Sequence, residues 1–157
     1  MLSPEPAVPP PTTHCVLFLC TGNYYRSRFA EQLFNWLAAR AGLPWRADSR
    51  GLLVGLAGNI GPISPYARER LHALGIPTDG DCRPPRQLSA ADLTEAELVI
   101  AVKETEHRPM LAKQFPAWVE KIEYWHVDDL DYATPEEALP VLERQVQALV
   151  ARLGAPC

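Results

Sequence analysis

Residues 14–42 read HCVLFLCTGNYYRSRFAEQLFNWLAARAG, and their reading decides the fold. His14 to Cys20 is a short, nearly continuous apolar run, the pattern of a strand covered on both faces. Gly22 and Asn23 then break it with a polar turn. Phe29, Leu33, Trp36 and Leu37 recur at helical spacing, and Gly42 supplies a stop. The stretch is a strand, a loop and a helix.

The same alternation continues along the chain. WRADSRGLLVG (45–55) reads as a second strand with a glycine-rich exit. In SPYARERLHALG, Ser64 is a good N-cap, Pro65 fits the first helical position and Gly75 ends the helix. Glu97 to Lys103 is a third buried strand, followed by a short helix from Glu104 toward Lys113. Lys121 to Val127 is the fourth strand. A last helix runs from about Pro135 to Leu153, with Leu139, Leu142, Val146, Leu149, Val150 and Leu153 on one face. Strands alternating with helices predict an α/β domain built on a four-stranded parallel sheet covered on both sides. One domain over residues 14–157 is expected, after a proline-rich tail over residues 1–13.

Composition narrows the function. The 157 residues carry a net charge of -4 with no polybasic stretch, so nucleic acid is not an expected partner. No apolar run approaches the roughly 18 residues that span a membrane, and the start lacks the pattern of a secretory signal. A cytoplasmic protein with no membrane partner is expected, as a monomer or weak dimer. The four cysteines make no C-x-x-C pair and the four histidines are scattered, so neither a metal nor a cofactor is expected. Cys15 and Cys20 lie five apart on one strand, face opposite sides and cannot bridge.

Ligands in such sheets sit at the carboxyl ends of strands, where Cys20 and the segment after Val127 both fall. A thiol is a poor nucleophile until it ionises, and at a helix N-terminus a cysteine pKa can fall from about 8.5 to roughly 3.5–7.5. The loop from Thr21 through Gly22, Asn23, Tyr24 and Tyr25 can aim successive amides inward as an anion nest, and the helix dipole adds to it. Arg26 supplies a planar fork for two phosphate oxygens. Ser27 can donate to the thiolate. Gly22 and Asn23 tolerate the left-handed backbone that such a loop requires.

VLFLCTGNYYRSRFAEQLF resembles the N-terminus of the low-molecular-weight protein tyrosine phosphatases and of the related thioredoxin-coupled arsenate reductases, whose loop has the form C-x-G-N-x-C-R-S. The likeness continues through DSRG, ARERLHALGI, DLTEAELVIAV with a histidine soon after, and YWHVDDLD. The resemblance implies the phosphatase I fold with strand order 2-1-3-4. It implies that Cys20 attacks phosphorus to form a phosphocysteine while Arg26 and the loop amides hold the phosphoryl oxygens. Asn23 would shape the loop by reaching Ser49. The acid, an aspartate before proline in the family, falls on Asp129, with Asp128 and Asp131 as alternatives and Leu130 in place of the proline. Tyr132 would form an aromatic wall, and Tyr24 would stand at the pocket mouth.

Departures accompany the likeness. Tyr25 occupies the place of the family's second cysteine, so Cys20 is expected to over-oxidise more readily. Cys82 is the one thiol in the region where the reductases use two, which opposes arsenate reduction and leaves it a structural role. The usual histidine of the supporting network is not evident, and GLAGNIGP lacks the aromatic of the opposite cleft wall. The leading reading is a cysteine-dependent phosphatase acting on protein phosphotyrosine or a small aryl phosphate. The alternatives are a catalytically weak anion-binding or interaction protein on the same fold and, behind it, an arsenate reductase.

Overall fold

The computed structural model describes residues 13–55, 59, 61–78, 83–130 and 132–154. Four strands, β1 (His14–Cys20), β2 (Trp45–Gly51), β3 (Leu98–Ala101) and β4 (Glu123–Tyr124), form one parallel sheet in the order β2-β1-β3-β4. Five helices connect and cover them: α1 (Arg26–Arg40), α2 (Pro65–Ala73), α3 (Ala90–Glu95), α4 (Glu104–Gln114) and α5 (Pro135–Gly154).

The apolar run of β1 explains the layering. Successive strand side chains point to opposite faces. Val16, Phe18 and Cys20 enter a cluster with Phe29 of α1, Ala67 of α2 and Leu142 of α5. Leu17 and Leu19 enter a second cluster with Leu93 of α3 and Leu111 of α4. Two cores flank one sheet, so the central strand needs apolar residues at every position. α5 buries Leu139, Leu142, Val146 and Leu149, the stripe its periodicity predicts.

The punctuation works as its chemistry requires. The Ser64 hydroxyl accepts from the Tyr66 amide at 3.2 Å with Pro65 in the first turn, and Gly42 and Gly75 adopt φ of +67° and +83° past their helices. Elsewhere the sequence reading overreached. β3 is shorter than residues 97–103, and β4 keeps two residues of the expected 121–127. Beyond them Lys103 and His126 meet in an isolated antiparallel bridge, and the Val127 amide donates to the Val102 carbonyl at 2.8 Å. The chain therefore bends over the end of β3 instead of extending the ladder. Helix α3 was not expected. Its six residues are too few for periodicity, but a reciprocal Ser89–Asp92 capping box starts it. A 3-10 segment, Pro116–Lys121, also escaped prediction.

The glycine that ends β2 positions the site. A Cβ on Gly51 would lie 2.8 Å from the Thr21 carbonyl oxygen and 3.0 Å from the Asn23 amide nitrogen. The loop after β1 can pack against β2 only because that side chain is absent. The expected tail, apart from Thr13, lies outside the described residues, as do Cys82, Asp131 and most of the segment 56–60. Among the described residues no helix is long and apolar enough to cross a membrane.

Candidate active site

Cys20 closes β1 and α1 begins six residues later at Arg26, so the loop between them spans strand end and helix start. The loop is tied down through its carbonyls. Cys20 and Thr21 accept from the Leu52 and Leu53 amides at 2.9 Å each, Tyr24 from the Ser64 amide at 2.9 Å and Tyr25 from the Phe29 amide at 3.0 Å. Tyr25, at the N-cap of α1, makes no side-chain capping bond. The positive end of the helix therefore receives no capping side chain from it, which favours an anion there. Of the two residues expected in left-handed backbone only Asn23 adopts it, at φ 51°; Gly22 does not. The Cys20 sulfur, almost fully buried, lies 2.9 Å from the Ser27 hydroxyl.

Arg26 is buried, and its five N–H groups can be accounted for. Nη1 donates to Glu106 Oε1 at 3.1 Å and to the Val127 carbonyl at 3.0 Å, and Nη2 donates to Glu106 Oε2 at 2.7 Å. That leaves Nε–H and the second Nη2 proton, the edge of the guanidinium suited to bidentate phosphate binding. Asp129 Oδ2 stands 3.4 Å from Nη2. Burial opposes the Arg26 charge, but Glu106, the Cys20 sulfur and Asp129 outweigh it and push its pKa up.

Glu106 is the carboxylate that holds the fork. It is half-buried, which would raise its pKa, yet His107, Arg26 and Thr21 keep it well below the usual carboxylate range. The Thr21 hydroxyl donates to Glu106 and lies 3.1 Å from His107 Nε2. His107 Nδ1 accepts from the Lys103 amide at 3.1 Å, so the ring proton sits on Nε2 and points to Thr21 and Glu106. Burial drives the His107 pKa down, which keeps the ring neutral. Because the folded pKa of Glu106 is depressed, its stabilisation is present at neutral pH and fades as pH falls below the unfolded value of about 4.3. Urea unfolding should therefore show Glu106→Gln less stable than the parent at pH 7, with the gap narrowing by pH 3. A gap that stays constant would mean that the ion pair contributes nothing.

A cavity of about 360 Å³ opens above these groups. Cys20, Arg26 and the loop residues Thr21, Gly22, Tyr24 and Tyr25 line one side, and Asp129 and Leu130 face it from the segment after β4. Leu53 and Tyr66, both with exposed side chains, complete the rim. The structure thus brings the expected loop residues and Asp129 together. Tyr132 is placed elsewhere: it is 76% exposed, is not among the lining residues, and its ring lies 4.4 Å from Lys103 Nζ. Asp128 is drawn away into an ion pair with the same lysine. Tyr25 packs into the core with its hydroxyl buried and without a hydrogen-bond partner among the described residues, and burial with the nearby Asp129 charge pushes its pKa to about 12.

Beneath the loop lies a polar network. Asn23 Nδ2 donates to Ser27 and to Ser49, each at 2.9 Å, and Arg83 and Glu31 complete the cluster. Arg83 and Glu31 were not found by sequence reading, nor were Glu106, Tyr66 and Leu53. Glu106 had a signal: it follows a buried strand at its carboxyl end, where polar side chains converge on ligands.

A larger concavity of about 700 Å³ near the start of β1 is lined by His14, Cys15, Asp48 and Arg83, among others. Burial and the Asp48 carboxylate push the Cys15 thiol pKa up, so this cavity lacks an activated nucleophile. Both described cysteines are free.

The family model described as low molecular weight phosphotyrosine protein phosphatase matches residues 15–156. The protein-arginine-phosphatase of Bacillus subtilis (strain 168) is 33% identical over 107 residues, 68% of this chain and 67% of its own length. The low molecular weight protein-tyrosine-phosphatase YfkJ of the same organism is 40% identical over 89 residues, 55% of this chain and 54% of its own. The crystal structure of a YwlE mutant from Bacillus subtilis superposes with a TM-score of 0.75 at 26% identity, covering 91% of this chain and all of that one.

Proposed function

The chain belongs to the low molecular weight phosphotyrosine protein phosphatase family, a family of hydrolases with cysteine-based chemistry, and from that premise we propose that it hydrolyses protein phosphotyrosine in the cytoplasm through the residues around Cys20. The observation that carries this reading is the Cys20 sulfur beside the Ser27 hydroxyl at 2.9 Å, in one cavity with the unused edge of Arg26 and with Asp129. Cys20 attacks phosphorus, its sulfur forms a bond to the phosphoryl group and the ester oxygen leaves. Arg26 and the amides of residues 21–27 follow the phosphoryl oxygens as charge shifts. Asp129 gives its proton to the leaving oxygen and later takes one from the water that releases phosphate. Ser49 supports the loop through Asn23. One domain over residues 14–157 carries all of this as a monomer or weak dimer, and the net charge of -4 gives nucleic acid no footprint.

The test is hydrolysis of phosphotyrosine and phosphoarginine peptides, with vanadate as inhibitor. Including phosphoarginine matters because one relative is named for that substrate. The reading expects vanadate-sensitive release of phosphate from the phosphotyrosine peptide. Phosphate binding without release would support the alternative of a weak anion-binding protein, and preference for phosphoarginine would replace the substrate.

The rim supplies the aromatic contact that neither Tyr132 nor residues 55–62 provide. Tyr66 is 51% exposed, lines the cavity and is anchored at the start of α2 by the Ser64 cap. Ring stacking contributes about 0.5–1.5 kcal/mol. Tyr66→Ala is therefore expected to raise KM for an aryl phosphate by roughly two- to twelvefold. Inhibition by inorganic phosphate should stay unchanged. Steady-state kinetics decide it, and an unaltered KM would remove Tyr66 from the substrate site.

A further inference from the structure

We infer that Arg83 is a positioning residue that, with the Arg86 backbone amide, fixes the direction of the hydrogen-bond relay ending on the Cys20 sulfur. Arg83 Nη1 lies 3.1 Å from one terminal atom of the Asn23 amide, and the Arg86 backbone N–H lies 2.9 Å from the same atom. Guanidinium and backbone N–H groups can only donate. The atom that faces them must therefore be Oδ1, which settles an orientation that electron clouds of oxygen and nitrogen alone would leave open. Nδ2 is then forced toward Ser27 and Ser49, at 2.9 Å each.

The rest follows in sequence. Ser49 Oγ accepts from Asn23 and from Arg83 Nη2 at 3.0 Å, so its one proton goes to Glu31 Oε1 at 2.5 Å. Ser27 Oγ accepts from Asn23, which leaves its one proton available to the Cys20 sulfur 2.9 Å away. A reversed Asn23 amide would set donor against donor at Arg83 and draw the Ser27 proton toward Asn23. The sulfur would then face a lone pair instead of a proton. Arg83 sits outside the cavity that holds Cys20 and acts only through Asn23 and Ser49. It is held by Glu31 at 3.1 Å, with Asp48 at 3.6 Å. A guanidinium stays charged across the working pH range, so the relay keeps one direction throughout it.

The inference rests on Cys20 being the nucleophile for its biological meaning, but its test needs no turnover. The probe is iodoacetamide, and the reading is the rate of Cys20 alkylation at pH 6 relative to pH 9, followed by mass spectrometry on gel-filtered folded protein. Tyr25, Arg26 and Asp129 share the cavity with Cys20, and Thr21 of its loop contacts Glu106 and His107 from α4. Arg83→Met should lower the pH 6 to pH 9 ratio by about tenfold, the worth of one charge-assisted hydrogen bond. Arg83→Lys, which keeps the charge and a donor, should stay within about threefold of the parent on the same scale. A merely structural arginine would change the yield of folded protein and leave the ratio alone. An unchanged ratio in Arg83→Met, or an equal loss in Arg83→Lys, would overturn the assignment. If the parent alkylates with the expected ratios but releases no phosphate from any ester, the relay stands and the phosphatase reading falls.

Discussion

Cys20→Ser removes turnover of an aryl phosphate, by about 10⁴-fold or more, and leaves phosphate binding close to that of the parent. The substitution changes one atom. Serine keeps the size and can keep the contact with Ser27, 2.9 Å from the sulfur. What it lacks is ready ionisation, since an alcohol is a far weaker acid than a thiol. Among the described residues no general base stands beside the sulfur to compensate: its hydrogen-bond partner is the Ser27 hydroxyl, and the neutral His107 spends its one ring proton on Thr21 and Glu106. The free edge of Arg26 and the loop amides are untouched, so inorganic phosphate or vanadate should still bind. Calorimetry and steady-state kinetics together make the test. Residual turnover within tenfold of the parent would show that another group carries the chemistry.

The loop residues were legible as a candidate anion site because their chemistry is local. From Cys20 to Ser27 the loop is short, and a strand before it and a helix after it are each readable from a period of hydrophobicity. The alternation of strands with helices was legible for the same reason, whereas the strand order β2-β1-β3-β4 came from the family resemblance. The invisible members come from distant chain segments whose roles depend on how the layers close. Glu106 reaches Arg26 across 80 residues and Arg83 reaches Asn23 across 60. Neither arises from a periodic pattern. Helix α3 was missed because its capping box is a local signal that a six-residue element cannot reinforce. The tyrosines show both sides. Tyr25 reads as a loop residue, yet the fold turns its ring into the core, whereas Tyr66 reads as one more helical residue and ends at the rim.

Leu130 is the departure that bears most on the acid. Proline there would stiffen the segment but would have no N–H. With leucine, the amide donates to Asp129 Oδ1 at 2.9 Å, a bond that proline could not make, while Oδ2 faces Arg26 at 3.4 Å. The Asp129 carbonyl also accepts from the Tyr132 and Ala133 amides at 3.0 Å each, which closes the turn around it. Asp128 is instead paired with Lys103 and does not line the cavity. Asp129→Asn preserves the shape and can keep the Leu130 contact, but it has no proton to give to a leaving oxygen. Its kcat should fall by about 10²- to 10⁴-fold, the usual worth of general acid–base catalysis, with phosphate binding retained. The leaving group sharpens the test. Phenolate is a poor leaving group and needs the proton, while p-nitrophenolate departs with less help. The loss should therefore be larger for phenyl phosphate than for p-nitrophenyl phosphate. Asp128→Asn should stay within about threefold of the parent on both, the range of a surface ion pair. Equal losses on the two substrates would move Asp129 from the proton transfer to loop structure, and a large loss in Asp128→Asn would move the acid one residue earlier.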